Sequence, residues 1–394
     1  MHIMLRQWPK RIFGSDAKLW QPYLWVGVAA AFVTLVVRWW QLDDPYWTDE
    51  VVTMRTAGGS WEQFFRSFFA RSDVSPPLFH GLLKLWLGLF GTSPAATAVF
   101  SLLWCVLAVV AAYRVGTVLF NRTVGVVAAL IFWNTYLAIR FSTETRMYAF
   151  VMLISLWSAV CCYQYLMSGR RDHLFWYLAA SVLGLYTHYQ FLLLVFAQVT
   201  IAALLQLHGR LPRPKAWWLG QGALAAVFLP WLPVMLWWVG EHYLIGRDAW
   251  IEAAFPAGTW HFYFSVFHIF LYPTWMATWW TNQIVGWYIV AFLLALVVRV
   301  ERRPGGWIFA RALSPVFPVV YLLASIGIPA LLLWRFNIGV FRYYAATGPL
   351  FVIVLAAAVV TVTRRYRTVL PAVLLLVAVV ALNLLAVAEW RLPF

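Results

Sequence analysis

The sequence contains few charged residues: they make up 11% of its 394 residues, whereas hydrophobic residues make up 63%. Soluble domains carry about 25% charged residues, so this composition excludes a water-soluble domain of any useful size. The mean hydropathy of +0.77 indicates a polytopic membrane protein. The 26 tryptophans agree with this class, because their amphipathic rings settle at membrane interfaces.

Cysteine is also scarce, with Cys105, Cys161 and Cys162 all lying in apolar runs. Neighbouring residues such as Cys161 and Cys162 are poorly placed for a disulfide, and small apolar surroundings suit free thiols in a core. No cysteine and histidine group has the spacing of a zinc site. The sequence therefore predicts neither a disulfide framework nor structural zinc.

Eleven apolar runs are long enough to cross a bilayer, whose core takes about 20 helical residues. Short basic connections separate several of them, and the positive-inside rule assigns these connections to the cytoplasm. The run 78–90 is too short to span and contains Lys84, so we interpret it as a re-entrant or juxtamembrane helix. The predicted spans are 22–42, 95–118, 123–140, 147–167, 173–189, 190–208, 217–239, 281–300, 313–334, 343–363 and 369–388.

This topology makes residues 1–21 a cytoplasmic tail before a signal anchor, and it treats 1–394 as one membrane domain. The whole net charge of +15 then falls on the cytoplasmic face. The basic balance is therefore a signal of membrane topology, and nucleic acid is not expected as a partner. The extracytoplasmic side receives an acidic loop at 43–77 and a second, aromatic loop at 241–280.

The loop 43–77 holds six of the fourteen acidic residues, and among them are the adjacent Asp49 and Glu50. Adjacent carboxylates on a loop point in different directions, so one can act as a base while the other binds or orients. The location beside the bilayer favours catalysis. The alternative is a solvated loop end in which Asp49 or Glu50 pairs with Arg55.

Two cations follow this loop on one helical face, since His80 and Lys84 are four residues apart. A cationic face beside an acidic loop suggests an anion held close to the base. The alternative is that Lys84 extends to the lipid headgroups.

A third group lies at the outer end of two apolar runs. It consists of Glu144, Arg146 and Tyr148, which occupy every second position, and of Arg140, which precedes Glu144 by one helical turn. Intramembrane charges are costly and usually functional, and the arginine fork suits phosphate oxygens. A buried Glu144–Arg146 pair joining two helices is the structural alternative. The two interpretations are compatible if Glu144 orients the arginine.

Two weaker clusters complete the polar outer face. His188 lies within Tyr186-Thr187-His188-Tyr189, although a lone histidine is more often structural. Arg342 and Tyr343 open the penultimate predicted helix. Arg342 is either an interfacial anchor or a second phosphate ligand, and the sequence leaves both open.

These motifs, in this order, resemble the GT-C membrane glycosyltransferases. The resemblance is to the bacterial branch related to dolichyl-phosphate-mannose protein mannosyltransferases, which includes the lipid A aminoarabinose transferases. It extends over about residues 20–360. The residues that carry it are Trp47-Thr48-Asp49-Glu50, Asp73-Val74-Ser75-Pro76-Pro77-Leu78, Glu144-Thr145-Arg146-Met147-Tyr148, Tyr186-Thr187-His188-Tyr189 and Arg342-Tyr343-Tyr344.

The resemblance implies transfer of a sugar, with inversion, from a polyprenyl-phosphate carrier to a lipid, glycan or protein acceptor at the outer face of a bacterial inner membrane. Asp49 would be the base, and Glu50 would bind sugar hydroxyls. No cofactor is required, although Asp49 and Glu50 could hold an optional divalent cation. The donor phosphate would be bound by Arg146, Lys84, Arg342 and Arg140, with support from Glu144, Tyr148, His188, His80 and Tyr343.

Two departures from the family bear on these expectations. Relatives usually have His-Pro-Pro where this chain has Ser75-Pro76-Pro77, so no histidine role is transferred to Ser75. Larger members continue into a further extracytoplasmic domain after the last helix, which leaves the acceptor open.

Three other functions compete with this one. An O-antigen-ligase type of transferase would use a pyrophosphate-linked glycan. A transporter or flippase of a lipid-linked or anionic solute usually shows internal repeats and broken helices at the midplane, and neither is evident here. A non-catalytic assembly subunit would leave the acid and arginine set idle.

Overall fold

The computed structural model describes residues 13–69, 75–240, 317, 320–322 and 345–390. In these ranges every regular element is helical, with 3-10 turns at Gly14–Asp16 and Leu229–Trp231. The α-helices are α1 (Ala17–Trp40), α2 (Thr48–Gly58), α3 (Trp61–Phe69), α4 (Pro77–Phe90), α5 (Pro94–Leu119), α6 (Arg122–Trp133), α7 (Tyr136–Phe141), α8 (Tyr148–Ser168), α9 (Arg171–Leu185), α10 (Phe191–Leu207), α11 (Pro214–Phe228), α12 (Leu232–Val239), α13 (Gly348–Tyr366) and α14 (Leu370–Trp390).

Within the part of the chain that the structure describes, five stretches are long and apolar enough to cross a membrane: 14–40, 94–119, 148–168, 214–237 and 348–366. Helices α4, α6, α10 and α14 are apolar but shorter in their described parts. The prediction of an all-α, membrane-embedded protein is thereby confirmed. The predicted span 281–300, nearly all of 313–334 and the second loop 241–280 lie outside the described residues, so the number of eleven crossings stays a prediction.

The centre of the bundle is formed by α8 and α13, the most deeply enclosed of the candidate spans. Helix α8 packs between α5 and α9, while α6 packs against both α5 and α13. Helices α5 and α6 approach closely at Gly116 and Gly125, where a Cβ on Gly116 would lie 2.9 Å from the Cα of Gly125. Small residues allow such backbone contact between membrane helices. This contact fixes α6, and with it the polar segment that follows.

The structure corrects one predicted span and one predicted loop. The run 123–140 is two helices, because α6 ends at Trp133 and the Thr135 hydroxyl caps α7 by accepting a hydrogen bond from the amide of Ala138. The stretch 43–77, predicted as a loop, contains α2 and α3. Its acidic residues suggested a loop, but carboxylates also favour the first turn of a helix. Helix α4 confirms that 78–90 is helical, and its re-entrant or juxtamembrane position stays a prediction.

Candidate functional site

The first turn of α2 is held by Glu50. This carboxylate returns to the residue before the helix, where its Oε2 accepts the backbone N–H of Trp47 at 3.1 Å, as the carboxylate of a capping box does. Its Oε1 accepts the N–H of Thr145 at 2.5 Å. Glu50 is buried, so a carboxylate with two charge-assisted hydrogen bonds joins α2 to the turn formed by residues 142–147.

Arg146 in this 142–147 turn makes the second connection to α2. Its Nη1 donates to the Thr53 hydroxyl at 2.7 Å and to the backbone carbonyl of Asp49 at 3.3 Å. Arg146 is 9% exposed, whereas Asp49 is partly exposed at the start of the helix. The structure therefore brings the predicted base and the first predicted phosphate ligand together.

The 142–147 turn is also fixed to the start of α5. The Ser101 hydroxyl donates to the carbonyl of Glu144 at 2.6 Å, and the Thr145 hydroxyl donates to the Thr97 hydroxyl at 2.8 Å. The Tyr46 hydroxyl lies 3.1 Å from the same Thr97 hydroxyl. The turn is thus held between two helices before any ligand binds.

Glu144 pairs with Arg140, with 3.0 Å between Oε2 and Nε. Arg140 is thus the arginine that the structure places against Glu144, whereas the described hydrogen bonds of Arg146 go to α2. Helix α7 explains the choice, because Arg140 is in its last turn and lies one turn before Glu144. Burial raises the pKa of Glu144 to about 7 against the opposing effect of Arg140. The guanidinium of Arg140 also lies 5.6 Å from the centroid of the Trp47 ring.

A cavity of about 540 Å³ opens beside this pair, a size within the range of small-molecule sites. Its lining combines the aromatic residue Trp47 with the ionisable residues Glu50, Arg140 and Glu144, and it includes Thr143. An aromatic side chain beside hydrogen-bond donors and acceptors suits a ligand ring that has apolar faces and a polar edge.

Lys84 lies at the opposite end of α2. Its ammonium donates to the backbone carbonyls of Ala57, at 3.2 Å, and of Gly59, and it lies 5.0 Å from the centroid of the Trp61 ring. Ala57 lies eight residues after Asp49 in α2, which corresponds to about 12 Å along the axis. Cations are stabilised at helix C-termini, so the described packing does not bring Lys84 to Asp49.

The supporting histidines lie in different surroundings. His80 is fully buried on α4, and its ring lies 5.7 Å from that of Phe68 and 5.9 Å from that of Phe79. His188 is closer to the site, with its ring 5.9 Å from that of Tyr148.

Tyr148 is the residue that links His188 to the arginine, since the guanidinium of Arg146 lies 6.0 Å from the Tyr148 ring. His188 Nδ1 accepts the N–H of Gln190 at 3.2 Å, which leaves Nε2 as the nitrogen that carries hydrogen. Arg342 and Tyr343 lie outside the described residues.

No group of three or more histidine, cysteine or acidic side chains suited to a metal ion occurs within the described ranges. Both oxygens of Glu50 accept backbone N–H groups, so a cation shared by Asp49 and Glu50 would have to compete with the capping of α2.

Sequence reasoning missed Arg38. This residue is fully buried near the end of α1, and its Nε donates to the hydroxyl of Ser142, the first residue of the 142–147 turn, at 2.8 Å. The signal in the sequence was an arginine inside a run long enough to span the membrane, since such charges usually mark function.

Comparison with known proteins agrees with this architecture. Residues 74–238 match the family model of dolichyl-phosphate-mannose-protein mannosyltransferase. The crystal structure of ArnT from Cupriavidus metallidurans bound to undecaprenyl phosphate is similar, with 15% identity, a TM-score of 0.53, and coverage of 84% of this chain and 59% of that one. The apo structure of the same protein is also similar, with 14% identity, a TM-score of 0.50, and coverage of 86% of this chain and 60% of that one.

This chain has a GT-C fold. At such identities the likeness concerns the fold alone, and the chain spans about 59% of the length of ArnT. No curated protein matches the chain in sequence. The family match includes the 142–147 turn with Arg146 but begins after α2, so the evidence on Asp49 comes from the geometry around it.

Proposed function

We propose that this protein is an inverting glycosyltransferase that moves a sugar from a polyprenyl-phosphate carrier to an acceptor at the membrane boundary. The observation that carries the proposal is the contact of Arg146 with the first turn of α2, where its Nη1 reaches the carbonyl of Asp49 and the hydroxyl of Thr53. One buried cation and one partly exposed carboxylate thereby share a small region. That is the pair that displacement of a lipid phosphate needs.

In the proposed reaction the Asp49 carboxylate takes the proton of the acceptor hydroxyl as its oxygen attacks the anomeric carbon. The new glycosidic bond forms while the bond from the anomeric carbon to the phosphate oxygen breaks, so the configuration inverts. The electron pair leaves with the lipid phosphate, whose growing charge Arg146 stabilises. A positioned base typically contributes about 10²–10⁴-fold.

The neighbouring carboxylates receive other roles in this proposal. Glu50 positions α2, because both its oxygens are engaged by backbone N–H groups. Arg140 and Glu144 line the cavity beside Trp47, and we assign this cavity to the polar ring of a sugar. Lys84 is left out of the phosphate site because it binds the far end of α2.

The proposed location is a bacterial inner membrane, with the N-terminus in the cytoplasm and the site on the outer face. The basic connections of the sequence support this orientation. ArnT, which is similar in fold, was crystallised bound to undecaprenyl phosphate, and this supports a polyprenyl-phosphate donor. A lipid, glycan or protein remains the class of acceptor.

The proposal is tested by Asp49→Asn. The change preserves shape and leaves the backbone carbonyl that Arg146 contacts. We expect sugar transfer from a polyprenyl-phosphate donor in proteoliposomes to fall by about 10³-fold, with the melting temperature nearly unchanged.

The matched control is Asp43→Asn, which removes an exposed carboxylate from the same connection between α1 and α2. This variant is expected to transfer at the wild-type rate. Wild-type transfer by Asp49→Asn would remove Asp49 as the base.

A further inference from the structure

Arg38 is a fully buried arginine in a membrane-spanning helix, and each of its nitrogens is used. Nε donates to the Ser142 hydroxyl at 2.8 Å, Nη1 to the Thr34 carbonyl at 3.0 Å, and Nη2 to the Trp133 carbonyl at 2.7 Å. The guanidinium also lies 3.9 Å from the centroid of the Trp133 ring. All three acceptors are neutral. A buried charge with neutral partners is costly, so its presence calls for an explanation.

Holding the break between α6 and α7 is not a sufficient explanation, because neutral side chains already do so. The Thr34 hydroxyl lies 3.0 Å from Asn134 Oδ1, and Asn383 on α14 donates to the Asn134 carbonyl at 3.0 Å. The Trp133 indole donates to the Ala31 carbonyl at 3.1 Å. Helices α1 and α14 therefore both hold this break without the arginine.

What Arg38 adds is the bond from Nε to Ser142. Ser142 begins the 142–147 turn, and it lies two residues from both Arg140 and Glu144. On the other side, α1 ends two residues after Arg38, and seven residues connect it to α2, which carries Asp49. The guanidinium thus lies between two segments that leave the membrane helices. One is the connection from α1 to α2, which leads to Asp49, and the other is the 142–147 turn, which contains Arg146.

We propose that Arg38 is a positioning residue, which through Ser142 holds the 142–147 turn and the attached α2 in register with the membrane helices. The inference rests on the proposed function. The turn and α2 are bound to each other through Glu50 and Arg146, so we treat them as one block. Together with the bonds that join the turn to Ser101 and Thr97 of α5, Arg38 sets the place of this block relative to a donor whose prenyl chain, in the proposed function, lies among the helices.

The sharpest test compares Ser142→Ala with Ser142→Thr. The alanine removes the acceptor of Arg38 Nε, while the threonine keeps a hydroxyl. Because a displacement of about 1 Å can cost about 10²-fold, we expect kcat per folded molecule to fall about 10-fold or more in Ser142→Ala and to recover largely in Ser142→Thr. Arg38→Lys, which keeps the charge and loses the fork, should resemble Ser142→Ala. The KM for the donor should stay near the wild-type value.

The control is Asn383→Ala, which removes a hydrogen bond from the same network without reaching the turn. It should lower the melting temperature and leave kcat unchanged. A solely structural Arg38 would give the same pattern in Ser142→Ala, with a lower melting temperature and wild-type kcat, and that result would overturn the inference.

Amide hydrogen exchange in detergent separates this inference from the proposed function. Peptides covering 48–58 and 142–147 should exchange faster in Ser142→Ala and Arg38→Lys than in wild type or Asn383→Ala. If wild type transfers no sugar, the proposed function fails, and the exchange result still decides whether Arg38 holds the block. Unchanged exchange in Ser142→Ala and Arg38→Lys would overturn the inference.

Discussion

The two ends of α2 hold charged side chains in different ways. At its N-terminal end, Glu50 and Arg146 join the helix to the 142–147 turn, and both are nearly inaccessible to solvent. At its C-terminal end, Lys84 binds the carbonyls of Ala57 and Gly59. The helix dipole favours the anion Glu50 at the start and the cation Lys84 at the end, whereas the cation Arg146 is held at the start by hydrogen bonds to Thr53 and to the Asp49 carbonyl. The ammonium of Lys84 at the C-terminal end is used in hydrogen bonds to backbone carbonyls. At the N-terminal end, Asp49 is partly exposed to solvent.

This difference shows that a cation near an acidic helix is not by itself a phosphate ligand. Arg146 and Lys84 are both close to α2, but only Arg146 lies beside Asp49. The assignment therefore depends on which end of an 11-residue helix each cation reaches.

The largest difference between the two ends of α2 is expected from Glu50→Gln, which disrupts the hydrogen bonds at the N-terminal end. Glutamine keeps one acceptor oxygen but turns an NH₂ group toward the other backbone N–H. The loss of a buried hydrogen bond costs about 1–3 kcal/mol, and the lost charge at a helix start costs about 0.3–1 kcal/mol more. We expect a clear fall in the melting temperature in detergent, together with slower transfer.

Glu62→Gln is the matched control for this change. It removes the carboxylate of an exposed pair with Arg66, whose Oε1–Nη2 distance is 2.7 Å. Exposed pairs contribute less than about 1 kcal/mol, so this variant should melt near the wild-type temperature. Equal melting of the two variants would contradict the buried clamp assigned to Glu50.

A smaller effect, which sharpens the comparison, is expected from Glu144→Gln. The pKa of Glu144 is raised to about 7 in the folded state, from an ordinary value of 4.5, chiefly by burial. Between these values the unfolded chain releases a proton that the folded chain keeps. Stability due to Glu144 is therefore complete below pH 4.5 and is lost as the pH rises to about 7.

The measurement is the melting temperature of wild type and Glu144→Gln across this pH range. The advantage of wild type over the variant should shrink as the pH rises and should level off above about 7. A difference that grows with pH would show that the Arg140 pair outweighs burial and holds the pKa of Glu144 low.

Much of the fold follows from the sequence, but the choice of partners within the site does not. Long apolar runs predict the helices that are described, and the predicted topology places Asp49 and Arg146 on the same outer face. Glu144 has an arginine on either side in sequence, at 140 and 146, and only the end of α7 decides between them.

Lys84 and Arg38 show that local sequence pattern does not predict tertiary contacts. The contacts of Lys84 depend on how α4 packs against α2, and those of Arg38 depend on segments separated by about a hundred residues. Sequence spacing does not encode either arrangement. The structure shows both through hydrogen bonds to backbone carbonyls, which have no signature in the sequence.

The most direct test of the account is to measure binding of undecaprenyl monophosphate to wild type, Arg146→Ala and Lys84→Met by native mass spectrometry in detergent. Charge-assisted hydrogen bonds contribute about 1.5–3 kcal/mol, so Arg146→Ala should bind about 10–100-fold more weakly. Lys84→Met should keep wild-type affinity while melting at a lower temperature. Equal affinity in all three proteins, or weaker binding by Lys84→Met than by Arg146→Ala, would contradict the placement of the donor phosphate at the N-terminal end of α2.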